Sequence, residues 1–192
     1  MTTTWGPLPR ARILSGNEPI TGADARLRDF WAWAYSDLRA NTVRPMLAEY
    51  LVARAVGADL RPRVEWDAYD VLTPEGLRLE VKSSAYLQAW EQPRLSAITF
   101  GGLRARVWTD DGREVEQTYN ADGYVFAVQT AKEHAAYDAL DLDQWSFWVL
   151  RAAEIVATGQ RSLRLSVVRE MAGPPVGYAE LAQRIRQVVR GD

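Results

Sequence analysis

The segment GLRLEVKSSAYLQAW, residues 76–90, opens with side chains that alternate between apolar and charged. The apolar residues are Leu77, Leu79 and Val81, and the charged residues are Arg78, Glu80 and Lys82. A repeat of two residues is typical of a β-strand, in which successive side chains point to opposite faces. The pattern therefore predicts a strand with Glu80 and Lys82 on one face. An ordinary half-exposed strand alternates in the same way, so the neighbouring residues must decide whether this pair is a solvated ion pair or part of an active site.

A second strand-like run, VEWDAYDVL, precedes this strand, and the turn sequence TPEG separates the two. The runs predict a β-hairpin whose register depends on the length of its loop. A three-residue loop, Pro74 to Gly76, would give Gly76 a left-handed conformation and place Asp70 directly across from Glu80. A two-residue loop would point Asp70 into the apolar side and bring Asp67 onto the face of Glu80, roughly 13 Å further along the strand. We favour the first register because it gathers the apolar residues of both strands on one face.

Two carboxylates that oppose each other across a hairpin repel, so this arrangement requires a cation or a shared proton. Mg²⁺ suits such a site because it uses few carboxylates and keeps water molecules that can attack a substrate. Lys82 is about 7 Å further along the same face of the strand than Glu80. Its ammonium can orient or deprotonate an attacking water, or neutralise charge on a phosphate. Asp70, Glu80 and Lys82 therefore predict a site that hydrolyses phosphodiester bonds.

The rarity of lysine in this chain is a second indication that Lys82 has a specific role. The chain has 21 arginines and two lysines, Lys82 and Lys132. A lysine carries a compact ammonium that rotates and titrates, and a planar guanidinium does not provide these properties. The presence of lysine at position 82 therefore indicates a role for the ammonium beyond its charge.

A helix over about residues 42–56 is predicted by the segment TVRPMLAEYLVARAV, with Pro45 in its first turn and Gly57 as its stop. The segment is apolar nearly all round, which is typical of a buried helix. Glu49 shares a face with apolar residues of this helix. A carboxylate in such surroundings must be paired, hydrogen-bonded or bound to a cation. Pairing with one of the many arginines is the alternative to a metal-binding role for Glu49.

The remaining segments complete an α/β pattern. ARVWTDDGREVEQTY predicts a second hairpin with Asp-Gly at its turn, YVFAVQT and WSFWVL predict buried strands, and SLRLSVV predicts one more strand. Further helices are predicted after TGAD and at GYAELAQRIRQVV. We expect an irregular leader over residues 1–20 and a single domain over residues 21–192, since a chain of 192 residues has room for one proper core.

The composition excludes several classes of function. The chain has no cysteine and one histidine, His134, so zinc–thiolate sites, thiolate nucleophiles and sites built on several imidazoles are unavailable. We expect His134 to be an ordinary surface residue. The net charge of −2 argues against a protein that coats nucleic acid nonspecifically. No secretory signal and no apolar run of membrane-spanning length are present, so we expect a cytoplasmic protein with no membrane partner.

The spacing of these residues resembles the PD-(D/E)xK, or restriction-endonuclease-like, nuclease superfamily. The matching residues are Asp70, the triplet from Glu80 to Lys82 that follows it, and the preceding helix with Glu49. Tyr69 stands where the name of the motif has proline, a position at which relatives vary. The resemblance covers roughly residues 42–130.

The resemblance implies an α/β fold with a central mixed sheet of four to five strands flanked by helices, and metal-dependent cleavage of DNA. It further implies that Glu49 and the backbone carbonyl of Val81 join Asp70 and Glu80 as metal ligands. Gln88 follows the motif in a segment similar to some restriction-type relatives, where such a residue lies near the scissile phosphate. A helix surface is the alternative placement for Gln88.

These observations lead to a prediction of function. We expect a DNA endonuclease that uses Mg²⁺ or Mn²⁺ and acts in restriction or defence. We expect a homodimer, because cutting both strands at once needs two sites. The alternatives are a repair or recombination nuclease of the junction-resolvase type, and a catalytically silent nuclease fold that serves as a binding module.

Overall fold

The computed structural model describes residues 11–63, 68–108 and 114–191. The helices in these ranges are α1 (Leu27–Tyr35), α2 (Val43–Val56), α3 (Ala152–Thr158), α4 (Leu165–Ala172) and α5 (Tyr178–Ile185). The strands are β1 (Val71–Leu72), β2 (Arg78–Ala85), β3 (Thr99–Phe100), β4 (Ala105–Trp108), β5 (Glu114–Thr118), β6 (Gly123–Gln129), β7 (Trp145–Arg151) and β8 (Leu163–Arg164).

The described residues form two compact units. One contains residues 11–36 and 60–63, and the other contains the remaining described residues. The leader expected over residues 1–20 lies partly outside the described residues, and the single domain expected over residues 21–192 stays a prediction. None of the described helices has both the length and the apolar character needed to cross a bilayer.

The first unit contains α1, which begins at Leu27, later than the capping residues predicted in TGAD. The Asp29 side chain accepts a hydrogen bond from the backbone N–H of Arg26 at 2.6 Å and so closes the first turn. No residue of α1 is buried, and its large aromatic side chains Phe30, Trp31, Trp33 and Tyr35 are all exposed. These aromatic side chains of α1 are therefore not part of the described cores.

The second unit is built on a four-stranded sheet with the order β1–β2–β6–β7. β1 is antiparallel to β2, β2 is parallel to β6, and β6 is antiparallel to β7. β3 pairs with β8, and β4 pairs with β5. The structure confirms the predicted α/β architecture, a mixed four-stranded sheet flanked by helices. It also confirms the β4–β5 hairpin, whose turn lies outside the described residues.

Both faces of the main sheet are covered by buried side chains. On one face, α2 packs against β2 and α5 packs against β7, in a core that includes Leu79, Val81 and Val125. On the other face, Tyr124, Phe126 and Trp148 pack with residues from β3 and from the helices that follow β7. β2 and β6 therefore lie between two cores. This packing holds β2, the strand that carries Glu80 and Lys82, in position.

The segment SLRLSVV differs from its predicted strand. Only Leu163 and Arg164 are extended, and α4 begins at Leu165. The helix buries Leu165 and Val168, which are three residues apart and lie on one helical face. An apolar alternation of three residues is too short to distinguish the two periods, and packing on the sheet decides for the helix.

Candidate active site

The β1–β2 hairpin has the register that the three-residue loop predicts. Val71 pairs with Leu79 and Leu72 pairs with Arg78, so paired residue numbers sum to 150. Gly76 has a φ of 86°, in the left-handed region that glycine adopts without strain. The hairpin and its register are confirmed, but among the described residues of the predicted strand VEWDAYDVL only Val71 and Leu72 are extended.

Asp70 directly precedes β1 and contacts β2 through both its side chain and its backbone. The Oδ2 atom of Asp70 accepts a hydrogen bond from the backbone N–H of Val81 at 2.7 Å. Its own backbone N–H donates to the carbonyl of Leu79 at 3.0 Å. The Asp70 carboxylate thus accepts the N–H of Val81, as the backbone carbonyl of a neighbouring strand would. Val81 is the residue after Glu80.

Glu80 and Lys82 form an ion pair with little access to solvent. The Nζ of Lys82 lies 2.5 Å from Oε1 of Glu80, and the side chains of Lys82 and Glu80 are 19% and 12% exposed. Glu80 pairs in the sheet with Tyr124, and Lys82 pairs with Phe126, both of which are buried. The reading of Glu80 and Lys82 as a solvated surface pair is therefore wrong.

The carboxylates act on one another electrostatically. Burial, together with the charges of Glu80 and Glu49, raises the pKa of Asp70 to about 7. The N–H of Val81 and the ammonium of Lys82 act in the opposite direction but do not cancel it. The structure therefore brings Asp70, Glu80, Lys82 and Glu49 into one electrostatic cluster.

Glu49 is carried by α2, which packs against β1 and β2. The helix ends at Gly57 with a φ of 69°, which is the stop that the sequence predicts. Glu49 is half-buried, while the helix buries Ala48 and Val52 completely. α2 thus brings a third acid towards the hairpin that carries Asp70.

The donor set fits a hard divalent cation. Carboxylate oxygens are the ligands that Mg²⁺ and Mn²⁺ prefer, and a cation relieves the repulsion that raises the pKa of Asp70. Among the described residues, no three side chains of the His, Cys, Asp and Glu types stand together as a ready-made metal cluster. A magnesium or manganese ion at this site therefore stays a prediction. The carbonyl of Val81 stays a predicted ligand.

Gln88 is buried, and its hydrogen bonds lead away from this cluster. Its Nε2 donates to the carbonyl of Ala85 at 3.0 Å and to the Oγ of Ser96 at 3.2 Å. The Oε1 of Gln92 accepts the backbone N–H of Gln88 at 2.7 Å. Among the described residues, Gln88 Oε1 has no hydrogen-bond partner. Gln88 thus belongs to a polar network that closes the loop after β2. The alternative prediction, which placed Gln88 on a helix surface, is wrong.

Two further predictions concern single residues. Asp67, the alternative to Asp70, lies outside the described residues. His134 is exposed, and its Nδ1 lies 3.2 Å from Nη1 of Arg39. The expectation of a surface position for His134 is confirmed.

Two residues near the Glu80–Lys82 pair were not predicted from the sequence. Gly102 has a φ of 65°, and a Cβ built on it would lie 3.6 Å from the Nζ of Lys82. Tyr124 is buried next to the polar face of β2, and burial and the charge of Glu80 raise its pKa. In the sequence, two consecutive glycines, Gly101 and Gly102, follow the strand-like residues Thr99 and Phe100. This glycine pair indicates a turn at the position of Gly102.

The chain matches a family model described as bacteriophage T4 endonuclease IV over residues 32–102. No curated protein shows a significant match to the chain. The matched segment contains Glu49 on α2, Asp70 beside β1, and Glu80 and Lys82 on β2. The family match supports a nuclease, and it spans the whole cluster of carboxylates and lysine.

Proposed function

We propose that this protein is a DNA endonuclease with a divalent-metal site of the PD-(D/E)xK type. The observation that carries the proposal is the largely buried pair of Glu80 and Lys82 beside Asp70, whose pKa is raised to about 7. Carboxylates held together against repulsion are concentrated at catalytic sites. The family match over residues 32–102 supports nucleolytic chemistry and DNA as the substrate.

Asp70 and Glu80 would hold Mg²⁺ or Mn²⁺, and the superfamily resemblance adds Glu49 and the carbonyl of Val81 as further proposed ligands. When bound, such an ion supplies neutralisation of phosphate charge and a lowered pKa for a coordinated water. The hydrogen bond from Val81 fixes one oxygen of Asp70, so the orientation of this carboxylate is set before any ion binds.

The Lys82 ammonium is the protein group that we propose to act on the substrate. Glu80 holds the Lys82 ammonium at one of its three hydrogens, which leaves hydrogens to donate to a phosphate oxygen or to an attacking water. Charge that develops on the phosphate is stabilised by this preoriented ammonium, because little solvent competes with it at a half-buried position. Lys82 is therefore the residue proposed to contact the scissile phosphate.

Restriction or defence is the biological role proposed, with a homodimer as the active form. The similarity of residues 83–90 to restriction-type relatives supports the role, and the need for two sites to cut both strands supports the dimer. A junction resolvase would prefer branched DNA, so cleavage of branched over linear DNA would favour the repair or recombination reading.

The test compares cleavage of supercoiled, linear and branched DNA by the wild type in Mg²⁺, in Mn²⁺ and in chelator. We expect cleavage with either ion and none with chelator. DNA binding is measured separately in Ca²⁺. A wild type that binds DNA and cleaves none of these substrates would overturn the proposal and favour the silent binding module.

A further inference from the structure

The turn from Gly101 to Leu103 comes close to the ammonium of Lys82 at Gly102. Gly101 and Gly102 are exposed, while Leu103 is buried. A Cβ on Gly102 would stand 3.6 Å from the Nζ of Lys82, whereas a Cβ on Gly101 would meet nothing within 4 Å. A side chain at position 102 would therefore contact the ammonium, whereas a side chain at position 101 would have open space around its Cβ.

Tyr124 anchors this turn. Its Oη donates a hydrogen bond to the carbonyl of Leu103 at 2.6 Å, and both residues are only 1% exposed. Tyr124 is also the residue of β6 that pairs with Glu80 on β2. The buried Tyr124 side chain thus connects the Gly101–Leu103 turn to the position on β6 that pairs with Glu80, the acid in contact with Lys82.

The two sides together confine the lysine. Glu80 lies against the Nζ on one side, and Gly102 lies close on another. A lysine side chain has several rotatable bonds, so a free lysine samples many positions. Lys132 offers the contrast, since it is exposed and its Nζ lies 5.4 Å from the ring centre of Tyr86.

We propose that the Gly101–Leu103 turn, anchored by Tyr124, is a positioning element that limits the movement of the Lys82 ammonium beside Glu80, and that the missing side chain of Gly102 leaves room for a phosphate to reach the ammonium. Gly102 and Tyr124 are positioning residues in this proposal. Glycine is required at position 102 for two reasons: its φ is 65°, and a side chain would cover the ammonium. The consequence for cleavage rests on the proposed function, but the confinement of Lys82 does not.

The test measures the reactivity of each lysine in the absence of DNA and metal. The native protein is labelled briefly with light acetic anhydride, then unfolded and labelled fully with the heavy reagent, and mass spectrometry gives the fraction labelled at Lys82 and Lys132. We expect Gly102→Ala to lower labelling at Lys82, because the new methyl group covers the Nζ. We expect Tyr124→Phe to raise it, because the turn loses its anchor. Labelling of Lys132 should not change.

Each variant has a matched control. Gly159 has a φ of 64° and open space around its Cβ position, so Gly159→Ala reproduces the backbone strain of Gly102→Ala without the contact. Tyr137 donates to the carbonyl of Leu38 at 3.3 Å, so Tyr137→Phe removes a similar hydrogen bond elsewhere. Both controls should label at Lys82 as the wild type does. Gly101→Ala, in the same turn, should also leave this labelling unchanged.

Unchanged labelling of Lys82 in both Gly102→Ala and Tyr124→Phe would overturn the proposal, whether or not the protein cleaves DNA. If Gly102→Ala does not fold, Tyr124→Phe alone decides, since it removes only one hydroxyl group. With a wild type that cleaves, both variants should lose about tenfold or more in single-turnover rate with DNA affinity in Ca²⁺ retained. A wild type that cleaves no DNA would overturn the proposed function. The labelling of Lys82 would still decide whether the turn positions this lysine.

Discussion

The Nζ of Lys82 and Oε1 of Glu80 lie 2.5 Å apart on the polar face of β2, with the lysine side chain 19% exposed. Lys82→Arg keeps the charge but replaces a compact ammonium with a wider guanidinium that cannot accept a proton. We expect this variant to fold and to bind DNA, and to lose cleavage by about two orders of magnitude or more. Single-turnover cleavage in Mg²⁺ and binding in Ca²⁺ measure the two effects.

The chain supplies its own control for this substitution. Lys132 is the other lysine and lies on the surface near Tyr86, so Lys132→Arg should cleave as the wild type does. Equal cleavage by both variants would remove Lys82 from the catalytic site.

Asp70→Asn should abolish cleavage without lowering the stability of the metal-free protein. The amide oxygen can still accept the N–H of Val81, while the repulsion from Glu80 and Glu49 disappears. We therefore expect an equal or higher melting temperature at pH 7.5. Asp122→Asn is the control, because Arg78 donates to Asp122 at 2.6 Å and lowers its pKa, so this variant should melt at a lower temperature. A large loss of stability in Asp70→Asn would make Asp70 a structural partner.

The stability of the metal-free protein should depend on pH through Asp70. The pKa of this group rises from 3.8 to about 7 on folding, so the folded protein binds the proton more tightly than the unfolded chain. The free energy of unfolding should then fall as pH increases from about 4 to about 7, a loss that Asp70→Asn should lack. Denaturant titrations of both proteins across this range measure the difference. A wild type and variant with parallel pH profiles would contradict the raised pKa.

Cleavage should show the opposite trend with pH, because only the ionised form of Asp70 is a good metal ligand. We expect the rate at low Mg²⁺ to increase with pH up to about 7, by about tenfold per unit below this value. Higher Mg²⁺ should move the midpoint to lower pH, since the cation competes with the proton. A midpoint that does not respond to the Mg²⁺ concentration would argue against Asp70 as a ligand.

Mg²⁺ and Mn²⁺ should raise the melting temperature of the wild type, because a ligand that binds only the folded state stabilises it. The rise should be absent in Asp70→Asn. Chelator should abolish cleavage reversibly, and purified protein should contain no stoichiometric zinc, since three carboxylates without cysteine suit a hard cation. A tightly bound zinc would overturn the proposed site.

The sequence was sufficient for the parts of the site that depend on local pattern. The alternation around Glu80, the left-handed glycine at position 76 and the apolar helix around Glu49 each predict a feature that the structure contains. These signals lie within a few residues of the feature that they specify, so no knowledge of distant contacts is needed.

The parts that could not be predicted depend on contacts between distant segments. The approach of Gly102 to Lys82 joins residues 20 positions apart through a two-residue strand, β3, which pairs with β8 far along the chain. The burial of Gln88 depends on a loop closed by the hydrogen bond from the N–H of Ser96 to the carbonyl of Tyr86. Neither contact leaves a periodic signal in the sequence.

The hydrogen bond between Val81 and Asp70 makes one amide proton a spectroscopic reporter of the site. Its donor is a backbone group of β2, and its acceptor is the carboxylate whose charge changes near neutral pH. In an ¹⁵N-labelled sample, the Val81 cross-peak should titrate with a midpoint near 7 and shift again as Mg²⁺ is added. A single resonance would then follow protonation and metal occupancy at Asp70 in a protein that has neither substrate nor product bound.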